Sequence, residues 1–273
     1  MSAARRYLPS DSADLARSLV PIGLLTVAAA VPSVRPAVLI VLSIGVVFAI
    51  ARNAPVRWTW AAAVPVALGL AFGTLAAPAA ALDGSDCVNP ASPVSSWRAL
   101  EALVVLAALA TLAVVLRAGR GSLSLRWPAR RWVPWAVGGF LLAGPVALLL
   151  GPFFARPFFG EVGYEVVLGA LLPALVFAVA NGVMEELIFR GALLGWSAKV
   201  MGLGPAVVGQ AVVFGVAHSG SDVIGFPLPL MLALGIGGLL AGVITVRTRS
   251  LLIPIAIHIG LDIPIYFAFA CPA

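Results

Sequence analysis

The stretch NGVMEELIFRGALLG, Asn181 to Gly195, carries Glu185, Glu186 and Arg190 inside a run that otherwise belongs in hydrocarbon. On either side lie LLPALVFAVA and further apolar residues, so the three ionisable groups fall within one membrane-length segment read over 166–196. Charged side chains at mid-bilayer cost on the order of 2.5–3.5 kcal/mol each on insertion scales, and left uncompensated they mark a site rather than a solvated face. Glu186 and Arg190, four apart on one α-helical face, are expected to form a structural ion pair. Glu185 points about 100° away around the helix and needs another partner or water. A carboxylate held in an apolar setting suits a general base, and Glu185 is therefore the first catalytic candidate.

The whole chain agrees with a membrane setting. Of its 273 residues 62% are hydrophobic and 10% charged, with a mean hydropathy of +1.08, well outside the composition of water-soluble domains. The sequence carries 17 Lys and Arg against 11 Asp and Glu. They are scattered in short clusters between apolar runs, so they read as topology determinants and nucleic acid is excluded as a partner. Apolar runs of spanning length fall near 18–33, 36–51, 58–78, 98–116, 133–153, 166–196, 204–220, 228–246 and 251–270, which predicts an all-α polytopic transmembrane bundle of about 8–9 spans. The signature-free spans of 1–132 are set apart from a catalytic core over 133–273, whose motifs lie within 181–262.

Arg5, Arg6, Arg17, Arg52, Arg57, Arg117, Arg120, Arg126, Arg130, Arg131, Lys199, Arg247 and Arg249 all fall in loops on one side if the N-terminus is cytoplasmic. The opposite loops hold Arg35, Arg98 and Arg156. This bias predicts a cytoplasmic N-terminus, an extracytoplasmic C-terminus and a place in the cell membrane. Asp11 and Asp14 in the lead to the first span argue against a cleaved signal. Cys87 and Cys271 then share the outer side, where one disulfide and two separate thiols are both open readings. Trp58, Trp60, Trp97, Trp127, Trp132 and Trp135 fall near span ends, as interfacial anchors do. Gly238 and Gly242 make a small-xxx-small pair that permits close helix approach.

Downstream of the opening stretch lie two further polar constellations. In VVFGVAHSG, Phe214 precedes His218 by one turn, and in PIAIHIGLDIP, His258 and Asp262 share a face four residues apart. Counting ~1.5 Å per residue from the inner helix ends places Glu185 at ~18 Å, His218 at ~21 Å, His258 at ~12 Å and Asp262 at ~18 Å. That is one layer within the error of the count. Pro254 and Pro264 flank the His258 turn and free backbone groups, which is tolerated where protein or a hydrated cavity covers them. A polar pocket among the helices is the simplest arrangement, with Phe214 and Asn181 lining it.

EELIFR, FGVAH and HIGLD resemble, in order, the EExxxR, FxxxH and HxxxN/D motifs of the CPBP family of intramembrane proteases. That family includes type II CAAX prenyl endopeptidases and bacteriocin-processing or self-immunity proteins. The resemblance covers roughly 165–270. It implies that Glu185 activates a water against a peptide carbonyl, that Glu186 holds Arg190, and that His218 helps position the water. His258 and the residue four later would stabilise the oxyanion; that residue is Asp262 here rather than asparagine, and a deprotonated aspartate cannot donate. Orienting His258 is the other role open to it. The implied substrate is a membrane-associated protein or peptide in the lipid bilayer. No cofactor is favoured. A divalent metal such as zinc on Glu185, His218, His258 and Asp262 is the alternative mechanism, against which stands the lack of an HExxH pair. Outside proteolysis, the same fold is compatible with a non-catalytic scaffold or immunity protein, and intramembrane carboxylates and histidines with a proton-coupled transporter.

Overall fold

The computed structural model describes residues 12–76, 93–154, 168–218 and 228–270, and among these no strand occurs. The helices are α1 (Ser12–Ala30), α2 (Arg35–Ala51), α3 (Arg57–Ala76), α4 (Pro93–Val115), α5 (Val133–Phe154) and α6 (Leu171–Glu185). A π-helical segment, Glu186–Leu194, continues α6 into α7 (Gly195–Met201), followed by α8 (Leu203–Ala217), α9 (Leu228–Thr248) and α10 (Leu252–Ala270). Ser12–Ala30, Pro32–Ala51, Val94–Val115, Leu171–Met201 and Met231–Thr248 are long and apolar enough to cross a membrane, and Leu203–Ala217 and Leu252–Phe267 are shorter apolar helices. Large side chains stand outside the packed core, among them Val114 at 77% and Leu103 at 70% exposure. Water would not tolerate so much exposed apolar surface, whereas lipid does. The protein is an all-α, multi-pass membrane bundle.

Helix ends follow local chemistry more than hydropathy. The first helix begins at Ser12, six residues before its apolar run, because Asp14 sits favourably in its first turn and pairs with Arg17 at 3.7 Å. It ends at a short 3₁₀ turn opened by Pro32. Gly202, at a φ of 82°, makes the sharp turn between α7 and α8 that a side-chain-bearing residue would strain. Cys87 and Cys271, whose pairing was left open, lie outside the described residues.

Two compact units interleave along the chain. One gathers described residues of Met1–Ala77, Val105–Arg126 and Leu187–Leu251; the other gathers those of Pro78–Val104, Trp127–Glu186 and Leu252–Ala273. In the first, α1 packs on α2, α3, α7 and α8, and α8 packs on α9. A buried Thr59 Oγ1 to Ser18 Oγ hydrogen bond of 3.3 Å ties α3 to α1. Gly45 lets the Trp60 ring lie where a Cβ would be, so Trp60 packs α3 against α2. Trp127 and Trp135, at 79% and 68% exposure, do stand outward as anchors should.

Within the second unit α10 packs on both α5 and α6. Phe177 and Tyr266, with ring centroids 5.8 Å apart, join Ala170, Ala174 and Phe267 in its core. Ser95 Oγ donates to the Pro173 carbonyl at 2.8 Å and fixes the start of α4 to α6. Pro254 occupies the first turn of α10, where its missing N–H is harmless, while Pro264 lies inside the helix and leaves the Gly260 carbonyl without its donor. That carbonyl lies against Gly144 of α5, 3.2 Å from where a Cβ on Gly144 would sit. Close approach at this crossing depends on glycine, since a Cβ on Gly260 would come within 2.6 Å of the Phe140 carbonyl. Gly260→Ala is expected to lower stability by about 1–3 kcal/mol through overpacking. Gly138→Ala, with nothing within 4 Å of its added Cβ, is expected to be neutral or slightly stabilising; thermal unfolding of the two in detergent makes the comparison.

Candidate active site

The second unit brings Asn181, Glu185, Glu186, His258 and Asp262 together from α6, the start of the π segment and α10. His258 is the hub. Its Nδ1 donates to Glu186 Oε1 at 2.8 Å, while its Nε2 lies 3.6 Å from Glu185 Oε2 and 3.6 Å from Asp262 Oδ2. The Glu186 contact is a charge-assisted hydrogen bond, whereas 3.6 Å is beyond one. The imidazole is thus gripped at Nδ1, and its Nε2 edge faces two carboxylates with space between.

Consecutive residues of an α-helix diverge by ~100° and do not ordinarily reach one ring. Here Glu185 ends α6 and Glu186 opens the π segment. Its wider i→i+5 winding narrows the angle between neighbouring side chains, so the two acids straddle His258, one at each ring nitrogen; π segments recur at functional sites for such reasons. Gly182, one turn before Glu186, lets α10 approach: a Cβ there would lie 3.1 Å from Ile259 Cγ1 and 3.5 Å from His258 Cβ.

Asp262 is 3% exposed and accepts a hydrogen bond from Asn181 Nδ2 at 2.9 Å. That donor fixes the amide's orientation and directs Asn181 Oδ1 the other way, a buried acceptor with no hydrogen-bond partner among the described residues. Sequence reasoning placed Asn181 as a pocket-lining residue; the structure gives it a specific partner. In α4, Arg98 donates to Glu101 Oε2 at 2.7 Å, and their charges act on Asp262 and Glu185 respectively. Neither was singled out from sequence as part of a site. The signal available was a carboxylate three residues after an arginine at the start of an apolar run; the structure leaves that carboxylate 7% exposed.

Arg190, Phe214 and His218 belong to the first unit and form their own constellation. The Arg190 guanidinium, 1% exposed, lies 4.1 Å from the Phe214 ring centroid and 5.9 Å from that of Phe189. Stacking on aromatic faces is a geometry suited to a desolvated arginine. Phe214 also holds His218, with ring centroids 4.7 Å apart. Its carbonyl accepts from His218 Nδ1 at 2.7 Å, which leaves Nε2 of the neutral ring as the acceptor. Phe214 therefore links the arginine of one motif to the histidine of the next. Beneath them, fully buried Gln210 donates to the Gly238 carbonyl at 2.9 Å, and Gly238 and Gly242 both face α8 across a close crossing.

Among the described residues no three or more His, Cys, Asp and Glu side chains are arranged to hold a metal ion.

A bundle of lipid-facing helices that buries a histidine among three carboxylates defines a membrane protein with an internal polar centre. Residues 166–263, which carry all three motifs, match the family model described as type II CAAX prenyl endopeptidase Rce1-like, consistent with the CPBP family. At the general level that match supports a membrane-embedded peptidase. No curated protein and no solved structure matches the chain.

Removing the Asn181 amide leaves a buried carboxylate short of its donor, so Asn181→Ala is expected to destabilise by about 1.5–3 kcal/mol. Phe214→Leu, which removes the guanidinium's stacking face, is expected to cost about 0.5–2 kcal/mol. Thermal unfolding in detergent reads both.

Proposed function

We propose that the protein is an intramembrane glutamate-type endopeptidase that hydrolyses a peptide bond in a membrane-associated protein or peptide. The observation carrying this reading is the His258 imidazole held at Nδ1 by Glu186 with Glu185 poised on its other edge. Glu185 takes a proton from a water whose oxygen attacks the scissile carbonyl carbon. His258, anchored by Glu186 and presenting Nε2–H as the imidazolium, stabilises the developing oxyanion. Collapse of the tetrahedral species breaks the C–N bond, and the proton held by Glu185 passes to the departing amine, so one water is consumed.

In this scheme Glu186 orients the electrophile as well as serving the Arg190 pairing expected from the motif. Asp262, already accepting from Asn181, acts as an orienting acid and not as an oxyanion donor. His218, whose Nε2 is an acceptor in the tautomer its Phe214 bond selects, is given the water-positioning role by the family resemblance. The substrate class follows the same resemblance: a peptide presented at the bilayer, with a prenylated C-terminal CAAX sequence as the form to try first.

In proteoliposomes with a prenylated CAAX reporter peptide, Glu185→Gln is expected to lower cleavage about 10³-fold or more. Glu186→Gln is expected to lower it about 10–100-fold through loss of His258 orientation. A strong chelator is expected to leave the rate unchanged. Cleavage undiminished in Glu185→Gln contradicts proteolysis by this site and favours a binding role for the same fold, whereas loss on chelation, restored by zinc, assigns the residues to a metal.

A further inference from the structure

At one end of the first unit, where α9 finishes at Thr248 and α8 begins at Leu203, a cavity of about 410 Å³ opens. Arg126 and Arg249 line it together with Ser122, Ser124 and the buried Thr245, and no carboxylate does. That volume is within the range of small-ligand sites. Two guanidinium groups without a neighbouring acid make an anion site, and the guanidinium fork matches phosphate oxygens in particular.

Unusual backbone lies at one arginine and two residues before the other. Arg249 and Ser124 adopt φ values of 56° and 54°, a region non-glycine residues rarely occupy, and the Leu251 N–H donates to the Ser124 carbonyl at 3.2 Å, bracing the two turns against each other. Arg126 lies directly across Gly121, where a Cβ would come 2.5 Å from its Nη2. Ser122 is held as well, donating to the Gly119 carbonyl at 2.7 Å and accepting from Trp196 Nε1 at 3.2 Å.

A second cavity of about 360 Å³ shares Leu203 and Val246 with the first and is otherwise lined by Gly204, Val207, Val208, Val243 and Arg247. Leu203 to Val207 is one turn along α8, and Val246 to Val243 nearly one turn back along α9, so this groove lies beside the polar cavity, further along the apolar part of the helix pair. A polar chamber with two arginines, beside an apolar groove that shares two of its wall residues, suits an amphiphile.

We propose that this paired cavity binds an anionic phospholipid, its phosphate between Arg126 and Arg249 and the start of one acyl chain in the Val207–Val243 groove. A free phosphate satisfies the first half of the site only. The groove selects the lipid as the source of that phosphate.

The test is thermal unfolding of the full chain in neutral detergent, titrated with phosphatidylglycerol, with phosphatidylcholine of the same chains, and with glycerol phosphate. Phosphatidylglycerol is expected to raise the midpoint by several degrees, saturably, with the other two near baseline. Arg126→Gln with Arg249→Gln is expected to weaken the apparent affinity roughly thirtyfold, the effect of two arginines at an anionic headgroup. Arg117→Gln with Arg120→Gln, removing equal charge outside the cavity, is expected to leave it unchanged. Val243→Phe, which fills the groove and keeps both arginines, is expected to abolish the preference for phosphatidylglycerol over glycerol phosphate. Equal stabilisation by phosphatidylcholine, equal loss in the Arg117 and Arg120 pair, or full stabilisation by glycerol phosphate overturns the proposal.

Discussion

The hydrogen bond from His258 to Glu186 is the contact on which the second unit's chemistry depends. A buried carboxylate and a largely buried imidazole are each costly in hydrocarbon, and each becomes tolerable by serving the other. Once Nδ1 is committed, the ring has one direction left to act in, and Glu185 and Asp262 define it. The neighbouring constraints serve the same grip. Gly182 lets α10 come close to α6, the π segment turns two consecutive acids toward one ring, and Asn181 holds Asp262 in place.

Most of the fold was legible in the sequence because hydropathy is a one-dimensional signal and bilayer thickness sets its length. The runs expected at 36–51, 58–78 and 251–270 became Arg35–Ala51, Arg57–Ala76 and Leu252–Ala270. The ends were less legible where polar residues belong to a helix through charge, as at Asp14 with Arg17, or where Pro32 closes one early. Depth and i,i+4 spacing placed Glu185, His218, His258 and Asp262 in one layer; the second unit brings Glu185, His258 and Asp262 together, while His218 belongs to the first. The π segment was invisible because no residue type marks it; α-helical geometry therefore set Glu185 and Glu186 apart, and the structure sets both on His258.

Arg190 shows the same limit from another side. Spacing names Glu186, four residues away on one helical face, as its partner. The cation–π face that Phe214 offers at 4.1 Å comes from a different helix, and the sequence holds Phe214 only as an apolar residue one turn before a histidine. In the first unit one aromatic ring thus carries a structural charge and fixes a histidine tautomer together. The loop arginines before α5 and after α9, Arg126 and Arg249 among them, behave oppositely. They were read as topology determinants, and the structure adds that two of them converge on a cavity no acid lines.

Because the chain has only 2 histidines, proton and nitrogen NMR of the reconstituted protein with labelled histidine reads the central contact directly. A slowly exchanging, strongly downfield proton on His258 Nδ1, lost in Glu186→Gln while the His218 resonances stay in place, is the expected result. A His258 ring whose Nδ1 carries no such proton, or whose spectrum is indifferent to Glu186→Gln, contradicts the arrangement.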